Sequence, residues 1–589
     1  MTPREVLQEY WHYPDFRPLQ EDIVNSVLQE RDTLALLPTG GGKSICFQVP
    51  TMVLGGLCLV ITPLIALMKD QVENLYQRGI RAAAIYTGMS DSEQKDALDN
   101  CQFGPFHFLY VSPERIGSVA FRERLPRLPI CLIAVDEAHC IAQWGYDFRP
   151  SYLQIAEIRK LIKPSVAGQS RVPMLAVTAT ATPDVVDDIQ DRLCFPEHHV
   201  LKKSFSRPNL SYVVRTTNKK ADEIVHIFRC VAGSGIVYVR NRQRAKELAE
   251  YLVEKGLSAD YYHAGLPTKT RAEKQASWKA YREDAPDKGR TGTRIMVCTN
   301  AFGMGIDKPD VRMVIHHDLP DTIEAYFQEA GRAGRDEKQA YAVLLYDPTD
   351  KPKARKRVAD NYPTREFIEQ VYNKVCDYLC VGVNSGRGHT FFLDMNKFCT
   401  VMHLPILPTT SALHILSQAG YIDFQENQEI QPRVQIRVSR RELEDYPLTA
   451  QQEQVLEWLM RQYTGIFTDL QYIHDIERIG GLIAAMSGKE RVSADYHSLL
   501  VSLAQQHIIH YIPKQVANTF TFTQDRQWNI HIPVSVFDDR KERYEERLRA
   551  MVEYAENQQF CRSQVLLSYF GENDAPVCGT CDVCRAQKK

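Results

Sequence analysis

The sequence predicts an α/β protein with two parallel-sheet lobes, followed by a helical region and a small cysteine-rich module. From about residue 30 to 350, short apolar runs such as TLALLP, LCLVITP and CLIAVDE alternate with longer amphipathic stretches. Fully apolar runs bounded by turn residues are typical of parallel strands that helices cover on both faces. After residue 350 these runs stop, and four cysteines cluster near residue 580. The apolar runs predict the two lobes, their end after residue 350 predicts the helical region, and the cysteine cluster predicts the module.

A chain of 589 residues is too long for one core, so several domains are expected. Two series of apolar runs meet near PEHHVLKKSFSRPN, which divides a first lobe (1–205) from a second lobe (206–350). The order helix, proline-containing turn, helix and strand then predicts a winged-helix-like domain over 351–445. A similar helix-rich block predicts a second winged-helix-like domain over 446–535. Residues 536–589 begin with a charged helix and are expected to form a helical hairpin with the cysteine module.

Net charge, apolar runs and cysteine count indicate which classes of protein are compatible with the sequence. The net charge of −2 neither supports nor excludes a nucleic-acid partner, because acidic surface elsewhere can cancel a basic groove. No run approaches the roughly 18 apolar residues that cross a membrane, and the start MTPREVLQEYW lacks a signal peptide, so a cytoplasmic protein without a membrane partner is expected. Fifteen cysteines in such a chain do not indicate a disulfide scaffold. Those outside the C-terminal cluster, Cys376 and Cys380 among them, are expected in apolar cores.

The segment PTGGGKS follows the apolar run TLALL and precedes an amphipathic stretch. Glycines allow backbone N–H groups to wrap a phosphate at a helix N-terminus, the lysine reaches the β- and γ-phosphates, and the serine hydroxyl ligates Mg²⁺. Leu37 stands where the general pattern has its first glycine. A plain glycine-rich turn is the alternative. The residues predicted to bind the nucleotide are Thr39, Gly40, Gly41, Gly42, Lys43 and Ser44.

The run CLIAVDEAH ends a buried strand with two acids, Asp136 and Glu137. Asp136 is suited to holding Mg²⁺ through water, and Glu137 to positioning and deprotonating the attacking water. In isolation D-E-A-H also fits a helix N-terminus. Its place one hundred residues after a phosphate loop favours the catalytic interpretation.

Upstream, YPDFRPLQ contains side chains suited to adenine: Tyr13 to stack on the ring, Arg17 beside it, and Gln20 to match the amino group and N7. Alone this signal is weak, and an amphipathic N-terminal helix explains it equally well. Beside the phosphate loop it predicts a preference for ATP.

The second lobe contributes TNAFGMGIDKPDVR and YFQEAGRAGRD. Arg332 and Arg335 are three residues apart and share one helical face, and an arginine that reaches the γ-phosphate across a cleft stabilises transition-state charge. Gln328 is expected to contact the nucleotide or its attacking water. The alternative is a solvated arginine pair on a surface helix. Glycines mark close backbone approach around these motifs: Gly303, Gly305, Gly331 and Gly334.

If one lobe holds the phosphates and the other supplies Arg335, ATP closes the cleft and hydrolysis opens it. Each cycle can then shift the two lobes along a bound strand. These motifs therefore predict an ATP-driven nucleic-acid motor.

In order, FRPLQ, PTGGGKS, ITPLIALMKDQV, YVSPER, DEAH, AVTATAT, TNAFGMGIDKP and QEAGRAGRD resemble the motifs of superfamily two helicases, RecQ branch, over about residues 1–350. The resemblance implies two RecA-like lobes, ATP and Mg²⁺, and 3′→5′ unwinding of DNA in recombination and repair. It implies single-stranded DNA and duplex or junction DNA as partners. Single-strand-binding protein and repair factors are expected partners that the sequence does not identify.

The segment CIAQWGYDFRPSY, directly after DEAH, is similar to the aromatic-rich loop by which RecQ proteins couple strand binding to ATP hydrolysis. Aromatic faces stack on bases, and a guanidinium binds phosphate or base, whereas an aromatic stripe in a core is the alternative. His139 is expected to bridge this loop to Thr178–Ala179–Thr180, whose hydroxyl groups would link ATP state to contact between the lobes. The expected DNA-binding residues are Trp144, Tyr146, Phe148 and Arg149.

Near the C-terminus, four cysteines follow the spacing C-x16-C-x2-C-x2-C, with Gly579 in the turn between two of them. Two overlapping C-x-x-C turns and one distant cysteine can close a tetrahedral Zn²⁺ cage. A disulfide is the alternative, disfavoured in a reducing cytoplasm. The segment also resembles the RecQ zinc signature, which implies a structural metal. The expected ligands are Cys561, Cys578, Cys581 and Cys584.

The order of parts departs from the family. In most relatives the zinc module follows the motor directly, whereas here a long block separates them, and no further C-terminal accessory domain is expected. The resemblance therefore does not assign the location of the strand-separating wedge. One hypothesis gives the block a duplex grip through Lys397 and His414; a purely structural spacer is the rival.

Two rival functions stay open. One is an RNA helicase, or a translocase that never unwinds, which comparing DNA with RNA as the activating strand would distinguish. The other is a DNA-binding scaffold that no longer hydrolyses ATP, which an assay of phosphate release would exclude.

Overall fold

The computed structural model describes residues 1–588 except 39, 87–88, 90, 143–148, 165, 167, 283–291, 303–307, 431, 474–495 and 514. The chain forms two compact units. Unit 1 comprises residues 1–356 and 542–589, and unit 2 comprises residues 357–541.

In the described part of the first lobe, seven strands form one parallel sheet in the order β3-β4-β2-β5-β6-β1-β7. Strands β1, β2 and β4 are buried along their whole length, as expected for a sheet covered on both faces. The strands are β1 (Thr33–Leu36), β2 (Leu57–Ile61), β3 (Ala82–Ile85), β4 (Phe108–Val111), β5 (Ile130–Asp136), β6 (Met174–Thr178) and β7 (Val200–Lys202).

Strand β6 pairs with both β1 and β5, and parallel neighbours end at the same edge of a sheet. That edge is where ligands bind in open α/β sheets. The phosphate loop after β1, Asp136 at the end of β5 and Thr178 at the end of β6 are therefore brought together by the topology alone.

The helices of the first lobe cover both faces of this sheet. The first begins at Thr2, whose hydroxyl accepts a hydrogen bond from Glu5 N while the Glu5 carboxylate accepts one from Thr2 N, a reciprocal cap. It buries Val6, Leu7 and Trp11 against the lobe. The described α-helices are Pro3–Trp11, Gln20–Leu28, Ile45–Leu54, Ile65–Tyr76, Asp91–Phe103, Pro113–Ile116, Val119–Arg124, Ile155–Arg159 and Pro183–Arg192.

The second lobe has the same architecture, a parallel sheet with helices. Its described strands form one parallel sheet in the order β10-β11-β9-β12-β13-β8. The strands are β8 (Leu210–Thr216), β9 (Ser234–Tyr238), β10 (Ala259–Tyr262), β11 (Ile295–Cys298), β12 (Val311–His316) and β13 (Ala340–Tyr346). The α-helices in its described residues are Lys220–Cys230, Arg242–Glu254, Thr268–Ala280, Ile323–Ala330 and Asp350–Asn361, the last of which extends into unit 2. The two expected parallel-sheet lobes are thus confirmed.

Unit 2 contains a core built from helices and a small antiparallel sheet. The described strands β14 (Thr390–Leu393), β15 (Ile422–Ile430) and β19 (Gln515–Phe522) pair in the order β14-β19-β15. Helices Met395–Val401 and Ile406–Gln418 are joined by a short turn with Pro405 and lead into β15. With helix Arg365–Tyr378 they surround a buried apolar cluster. Helix, turn, helix and strand therefore follow one another in this region, and its assignment as a winged-helix-like domain over 351–445 stays a prediction.

A second core of unit 2 is nested inside the first. It uses residues between Val434 and Tyr511, whereas β15 and β19, which flank this segment, pair with each other. In the described residues its sheet has the order β17-β16-β18, with β16 (Arg433–Ile436), β17 (Gln471–Tyr472) and β18 (Ile509–Ile512). Helices Ala450–Gln462 and Tyr496–Gln505 cover it.

This nesting differs from the consecutive division expected at residue 445. That division separates β16 from β18, although Val434 pairs with Tyr511 in the same sheet. The physical reason is that pairing between strands far apart in sequence leaves no local pattern, whereas turn residues and helix starts do.

The C-terminal part of unit 1, residues 542–588, is helical. Its α-helices are Asp538–Glu556, which begins in unit 2, Arg562–Tyr569 and Asp582–Gln587. Here this part is called the C-terminal module.

The cysteines outside the C-terminal cluster are partly as expected. All fifteen cysteines are described, and most of those outside the C-terminal cluster are buried. Cys376 is buried in the core of unit 2, as predicted. Cys380 is exposed, because helix Arg365–Tyr378 ends before it and its backbone turns to φ 55°. Cys194 and Cys230 are likewise exposed.

No single helix in the described ranges has the length and apolar character needed to cross a membrane. The pair Met395–Val401 and Ile406–Gln418 meets the length and composition test only when taken together, and its two helices are bent by 109°.

Candidate nucleotide and metal sites

The phosphate loop connects β1 to helix Ile45–Leu54. Gly40 and Gly42 adopt left-handed backbone angles of φ +80° and +74°. A Cβ atom on Gly42 would lie 2.4 Å from Gln20 Nε2, and one on Gly41 would lie 2.9 Å from Pro38 O. Neither position therefore has space for a side chain. Glycine thus allows the loop to fold tightly before the helix, and backbone N–H groups at a helix start can bind a phosphate.

Two side chains from the N-terminal segment hold this loop. Arg17 Nη1 donates to Gly40 O (2.5 Å), and Gln20 Nε2 lies 3.1 Å from both Gly41 O and Gly42 O. Gln20 Oε1 in turn accepts from Arg17 N (2.9 Å). The amide of Gln20 is therefore fully engaged by the protein. Recognition of adenine by Gln20 requires its amide to exchange these carbonyl partners for the base.

The two acids lie beside the lysine of the loop. Lys43 Nζ is 3.5 Å from Glu137 Oε1, and both side chains are largely buried. Asp136 Oδ2 accepts from Thr62 Oγ1 (3.4 Å) and Oδ1 from Glu137 N (3.0 Å). Glu137 adopts φ 48°, which turns the chain sharply at the end of β5. Together they form a compact group of one ammonium and two carboxylates at the sheet edge.

Burial and the neighbouring Glu137 carboxylate raise the pKa of Asp136 to about 6. Burial acts in the same direction on Glu137, but the charges of Lys43, His139 and, more weakly, Arg332 outweigh it and lower the pKa of that carboxyl. Adjacent carboxyl groups whose pKa values are shifted apart are typical of functional sites. Asp136 and Ser44 offer the oxygen atoms that Mg²⁺ prefers.

His139 connects these acids to the end of β6. Its Nδ1 lies 2.9 Å from Thr178 Oγ1 and 3.4 Å from Glu137 Oε2. Thr178 and Thr180 are fully buried, and Thr178 Oγ1 contacts Thr180 O (3.4 Å). Through His139, these contacts connect the acid pair to Thr178–Ala179–Thr180, here called the TAT segment. The expected bridge was from this segment to the aromatic-rich loop, of which residues 143–148 lie outside the described part of the chain, so it stays a prediction.

The second lobe faces the same cavity. A cavity of about 440 Å³ is lined from the first lobe by the phosphate loop and both acids, and from the second lobe by Gln328, Arg332 and Arg335. Arg335 Cγ would lie 3.2 Å from a Cβ atom on Gly40, so the arginine packs directly on the loop. The structure therefore brings the predicted phosphate loop and the predicted arginines to one site.

Several lining residues were not singled out by sequence reasoning. Asp15, Leu67, Gln71 and Pro309 also line the cavity. Gln71 Oε1 accepts from Gln48 Nε2 (3.0 Å), which fixes its side chain. Gln71 belongs to the motif ITPLIALMKDQV, which was the available signal, but neither its spacing nor its residue type indicated a contact with nucleotide. Tyr13, as predicted, lines the cavity and is about half exposed.

Some predicted residues lie outside the described part of the chain: Thr39, Trp144, Tyr146, Phe148, Gly303 and Gly305. Of the aromatic-rich loop, Arg149 is described. It is partly buried, and its backbone N donates to Cys140 O (2.9 Å). In unit 2, Lys397 is exposed, whereas His414 Nε2 lies 2.6 Å from Glu426 Oε1. A carboxylate at that distance disfavours a phosphate contact by His414.

The four C-terminal cysteines converge. Their sulfur atoms all lie within 4.8 Å of one another, and Cys578 Sγ is 4.0 Å from Cys584 Sγ. Zn–S bonds of about 2.3 Å in a tetrahedron place sulfur atoms about 3.8 Å apart, so the cluster has the size of a Zn²⁺ cage. Cys561, Cys581 and Cys584 are buried.

Burial raises the pKa of the Cys581 and Cys584 thiols, while backbone N–H groups that donate to the sulfurs act in the opposite direction and favour the thiolate, which is the form that binds zinc. Cys581 N donates to Cys578 Sγ (3.4 Å), and Cys584 N donates to Cys581 Sγ (3.4 Å). Burial opposes ionisation of Cys578, but hydrogen bonds from the backbone N–H groups of Thr580 and Cys581 lower the pKa of its thiol to about 7. The buried Arg562, paired with Asp582 (2.9 Å), ties two helices of the module together beside the cluster.

Four family models match this chain. Residues 17–189 match "DEAD/DEAH box helicase", and residues 219–337 match "Helicase conserved C-terminal domain". Residues 434–513, the nested core of unit 2, match "RecQ helicase winged-helix domain, Bacteroidota". Residues 522–585 match "RecQ zinc-binding" and include all four clustered cysteines. The chain therefore contains a zinc-binding module, and the cysteine cluster lies within it.

Curated relatives resemble the two lobes. "ATP-dependent DNA helicase RecQ" of Pasteurella multocida is 39% identical over 350 residues, which are 59% of this chain and 53% of that protein. "Probable ATP-dependent DNA helicase RecS" of Bacillus subtilis is 40% identical over 352 residues, 59% of this chain and 67% of the relative. "ATP-dependent DNA helicase RecQ" of the same species is 40% identical over 351 residues, 59% of this chain and 56% of the relative. The chain thus spans about half the length of the RecQ proteins it matches.

Proposed function

We propose that this chain, which belongs to the RecQ family of helicases, is an ATP-dependent DNA helicase that couples ATP hydrolysis to movement along single-stranded DNA and to separation of the duplex. The proposal includes 3′→5′ direction and a role in recombination and repair, both through the family. It places the protein in the cytoplasm, at the nucleoid, with single-stranded, duplex and junction DNA as substrates.

One observation carries the proposal. The phosphate loop of the first lobe and the arginines of the second lobe line one cavity, with Arg335 packed on Gly40. A nucleotide in this cavity touches both lobes, so its binding and hydrolysis change the free energy of the contact between them. That dependence is what a motor requires, because a ligand shifts an equilibrium only through contacts that differ between the two states.

The proposed roles in ATP hydrolysis follow from the positions of the charged groups that line the cavity. The loop N–H groups and Lys43 would bind the β- and γ-phosphates. Ser44 and Asp136 would hold Mg²⁺, which would supply positive charge to the phosphate oxygens. Glu137 positions the attacking water and accepts its proton. Arg335, with Arg332 beside it, stabilises the charge that develops on the transferred group.

The link to DNA is proposed to run through His139. Its Nδ1 contacts both Glu137 and Thr178, and it lies directly before the aromatic-rich loop. A strand that stacks on Trp144, Tyr146 and Phe148 would reorder this loop and, through His139, the acid that handles the water. ATP hydrolysis would then depend on bound DNA.

Unwinding of tailed duplexes tests the function directly. Duplexes with a 3′ or a 5′ single-stranded tail, and forked or four-way substrates, would be incubated with ATP and Mg²⁺. We expect unwinding of the 3′-tailed duplex and ATP turnover that DNA stimulates more than RNA does. Equal stimulation by RNA would favour an RNA helicase, and turnover without strand separation would favour a translocase.

Lys43→Ala tests the phosphate site. Removing its ammonium should lower DNA-stimulated turnover by at least about a hundredfold, because the lysine binds the transferred phosphate. The control is Lys160→Ala, which removes an exposed lysine on the same lobe and should leave turnover unchanged. Phosphate release at the wild-type rate by Lys43→Ala would contradict the assignment of this loop.

A further inference from the structure

A short turn in the C-terminal module touches both lobes. Helix Arg562–Tyr569 ends in Phe570–Glu572, here called the clamp turn. Gly571 adopts φ +80°, Glu572 N donates to Leu567 O (2.8 Å) and Gly571 N donates to Ser568 O (2.9 Å). This pair of bonds is a Schellman cap, which fixes the directions of the residues on either side of the glycine. Phe570 and Glu572 are therefore presented from a rigid support.

Glu572 holds the segment that joins the lobes. Its carboxylate accepts hydrogen bonds from Ser204 Oγ (2.7 Å) and from Phe205 N (3.0 Å), between β7 of the first lobe and β8 of the second. Lys202 Nζ lies 3.5 Å from the same carboxylate and donates to Phe570 O (3.0 Å). Hydrogen bonds to an ionised carboxylate are about twice as strong as neutral ones, so this contact restrains the backbone at residues 202–205.

Phe570 holds the helix that precedes the arginines. Its ring lies 5.2 Å from that of Phe205 and 5.0 Å from that of Phe327, measured between centroids, and all three are buried. Phe327 belongs to helix Ile323–Ala330, and its neighbour Gln328 lines the nucleotide cavity. The same helix contacts the module again where Tyr569 OH donates to Glu324 Oε1 (3.0 Å).

Gly571 completes the contact on the first lobe. A Cβ atom at this position would lie 2.9 Å from Pro183 Cγ, at the start of the helix that follows the TAT segment. Three consecutive residues thus contact the first lobe, the joining segment and the helix of the second lobe.

We propose that the clamp turn is a positioning device for ATP hydrolysis. It fixes residues 202–205, the segment that joins the lobes, and helix Ile323–Ala330. Arg332 and Arg335 then approach the nucleotide in one orientation. This inference rests on the proposed function and deepens it. The residues of the clamp turn do not line the nucleotide cavity, so they act through the arginines. A motor whose lobes move about an unrestrained segment would close in many orientations, and few of them would be productive.

Variants on both sides of the contact test the proposal. Glu572→Ala removes both hydrogen bonds, Glu572→Gln retains one acceptor oxygen, and Ser204→Ala removes one donor from an exposed residue without altering the module. The matched control is Asn573→Ala, whose side chain contacts Ser568 within the module. Zinc content and thermal unfolding establish that each variant is folded.

We expect Glu572→Ala to lower kcat for DNA-stimulated ATP hydrolysis by about tenfold to a hundredfold while the Kd of a fluorescent ATP analogue changes by less than about twofold. Glu572→Gln and Ser204→Ala should have smaller effects in the same direction, and Asn573→Ala none. If Glu572→Ala loses zinc or fails to fold, Ser204→Ala decides the matter alone. Variants that match the wild type in kcat would overturn the proposal.

A distance measurement separates this proposal from the motor itself. Spin labels on the exposed Cys194 and Cys230, in a Cys380→Ser background, report the separation of the lobes. In the wild type a non-hydrolysable ATP analogue and DNA should produce one narrow distance population, which Glu572→Ala and Ser204→Ala should broaden. Narrow populations in both variants would overturn the clamp. Absence of DNA-stimulated turnover in the wild type would instead overturn the proposed function, whereas the distance measurement needs no turnover.

Discussion

At the scale of single residues, the nucleotide cavity combines charged side chains from both lobes. Asp136 and Glu137 are adjacent carboxylates at a buried sheet edge, and the ammonium of Lys43 lies 3.5 Å from one of them. The buried guanidinium of Arg332 adds positive charge from the second lobe and helps to lower the pKa of Glu137. Isolated buried charges are costly, so this arrangement is explained by a ligand that carries both phosphate and metal.

Gly42→Ala tests how tightly the loop is built. Its Cβ would lie 2.4 Å from Gln20 Nε2, so either the loop or Gln20 must move. We expect loss of ATP binding, measured by fluorescence of a labelled nucleotide, without loss of folding.

The control for that variant is Gly55→Ala, at the other end of the same helix. Gly55 has a similar φ of +76° but no atom within 4 Å of the added Cβ. It should lower the free energy of unfolding by about 1–2 kcal/mol and leave ATP binding intact. If Gly42→Ala binds ATP as well as Gly55→Ala does, the close contact with Gln20 is not the reason that ATP binding requires glycine at position 42.

At the scale of elements, the sequence predicted what local patterns encode. Apolar runs identified the parallel strands, and glycine-lysine-serine after one strand and two acids after another located the site, because parallel strands end at one edge. A second core was predicted, as a block that follows the first, but its insertion between β15 and β19 was not, since these strands pair across the whole inserted segment. Gln71 and the clamp turn were missed for a similar reason: their contacts join residues far apart in sequence.

The aromatic-rich loop gives a prediction for an element outside the described residues. Trp144→Ala should retain ATP binding but lose most of the stimulation of ATP hydrolysis by single-stranded DNA, because stacking on an aromatic face contributes about 1–3 kcal/mol per base. Turnover would be measured against DNA concentration, with Tyr76→Ala, an exposed aromatic residue of the same lobe, as control. Undiminished stimulation in Trp144→Ala would mean that the loop is a packing element.

At the scale of the whole molecule, unit 1 joins two lobes and a zinc-binding module into one compact body. The module contacts helix Ile323–Ala330 through Tyr554, Tyr569 and Phe570. Loss of the zinc site is therefore expected to change the positions of Arg332 and Arg335, which follow this helix.

Cys578→Ser tests the zinc site. A structural Zn²⁺ site contributes folding free energy directly, so this variant should contain no zinc and should unfold at a lower temperature than the wild type. Zinc would be measured by elemental analysis of the purified protein. Cys380→Ser, which replaces an exposed cysteine outside the cluster, should keep its zinc. Full zinc content in Cys578→Ser would exclude this cysteine as a ligand.

The central claim is that a nucleotide held by the first lobe is sensed by a guanidinium from the second. Its most direct test is ATP turnover with saturating DNA by Arg335→Ala, alongside Arg244→Ala, which alters an exposed arginine of the second lobe. We expect Arg335→Ala to bind ATP normally and to lose about a thousandfold in kcat, as for an arginine that stabilises transition-state charge. Turnover by Arg335→Ala equal to that of Arg244→Ala would contradict the claim.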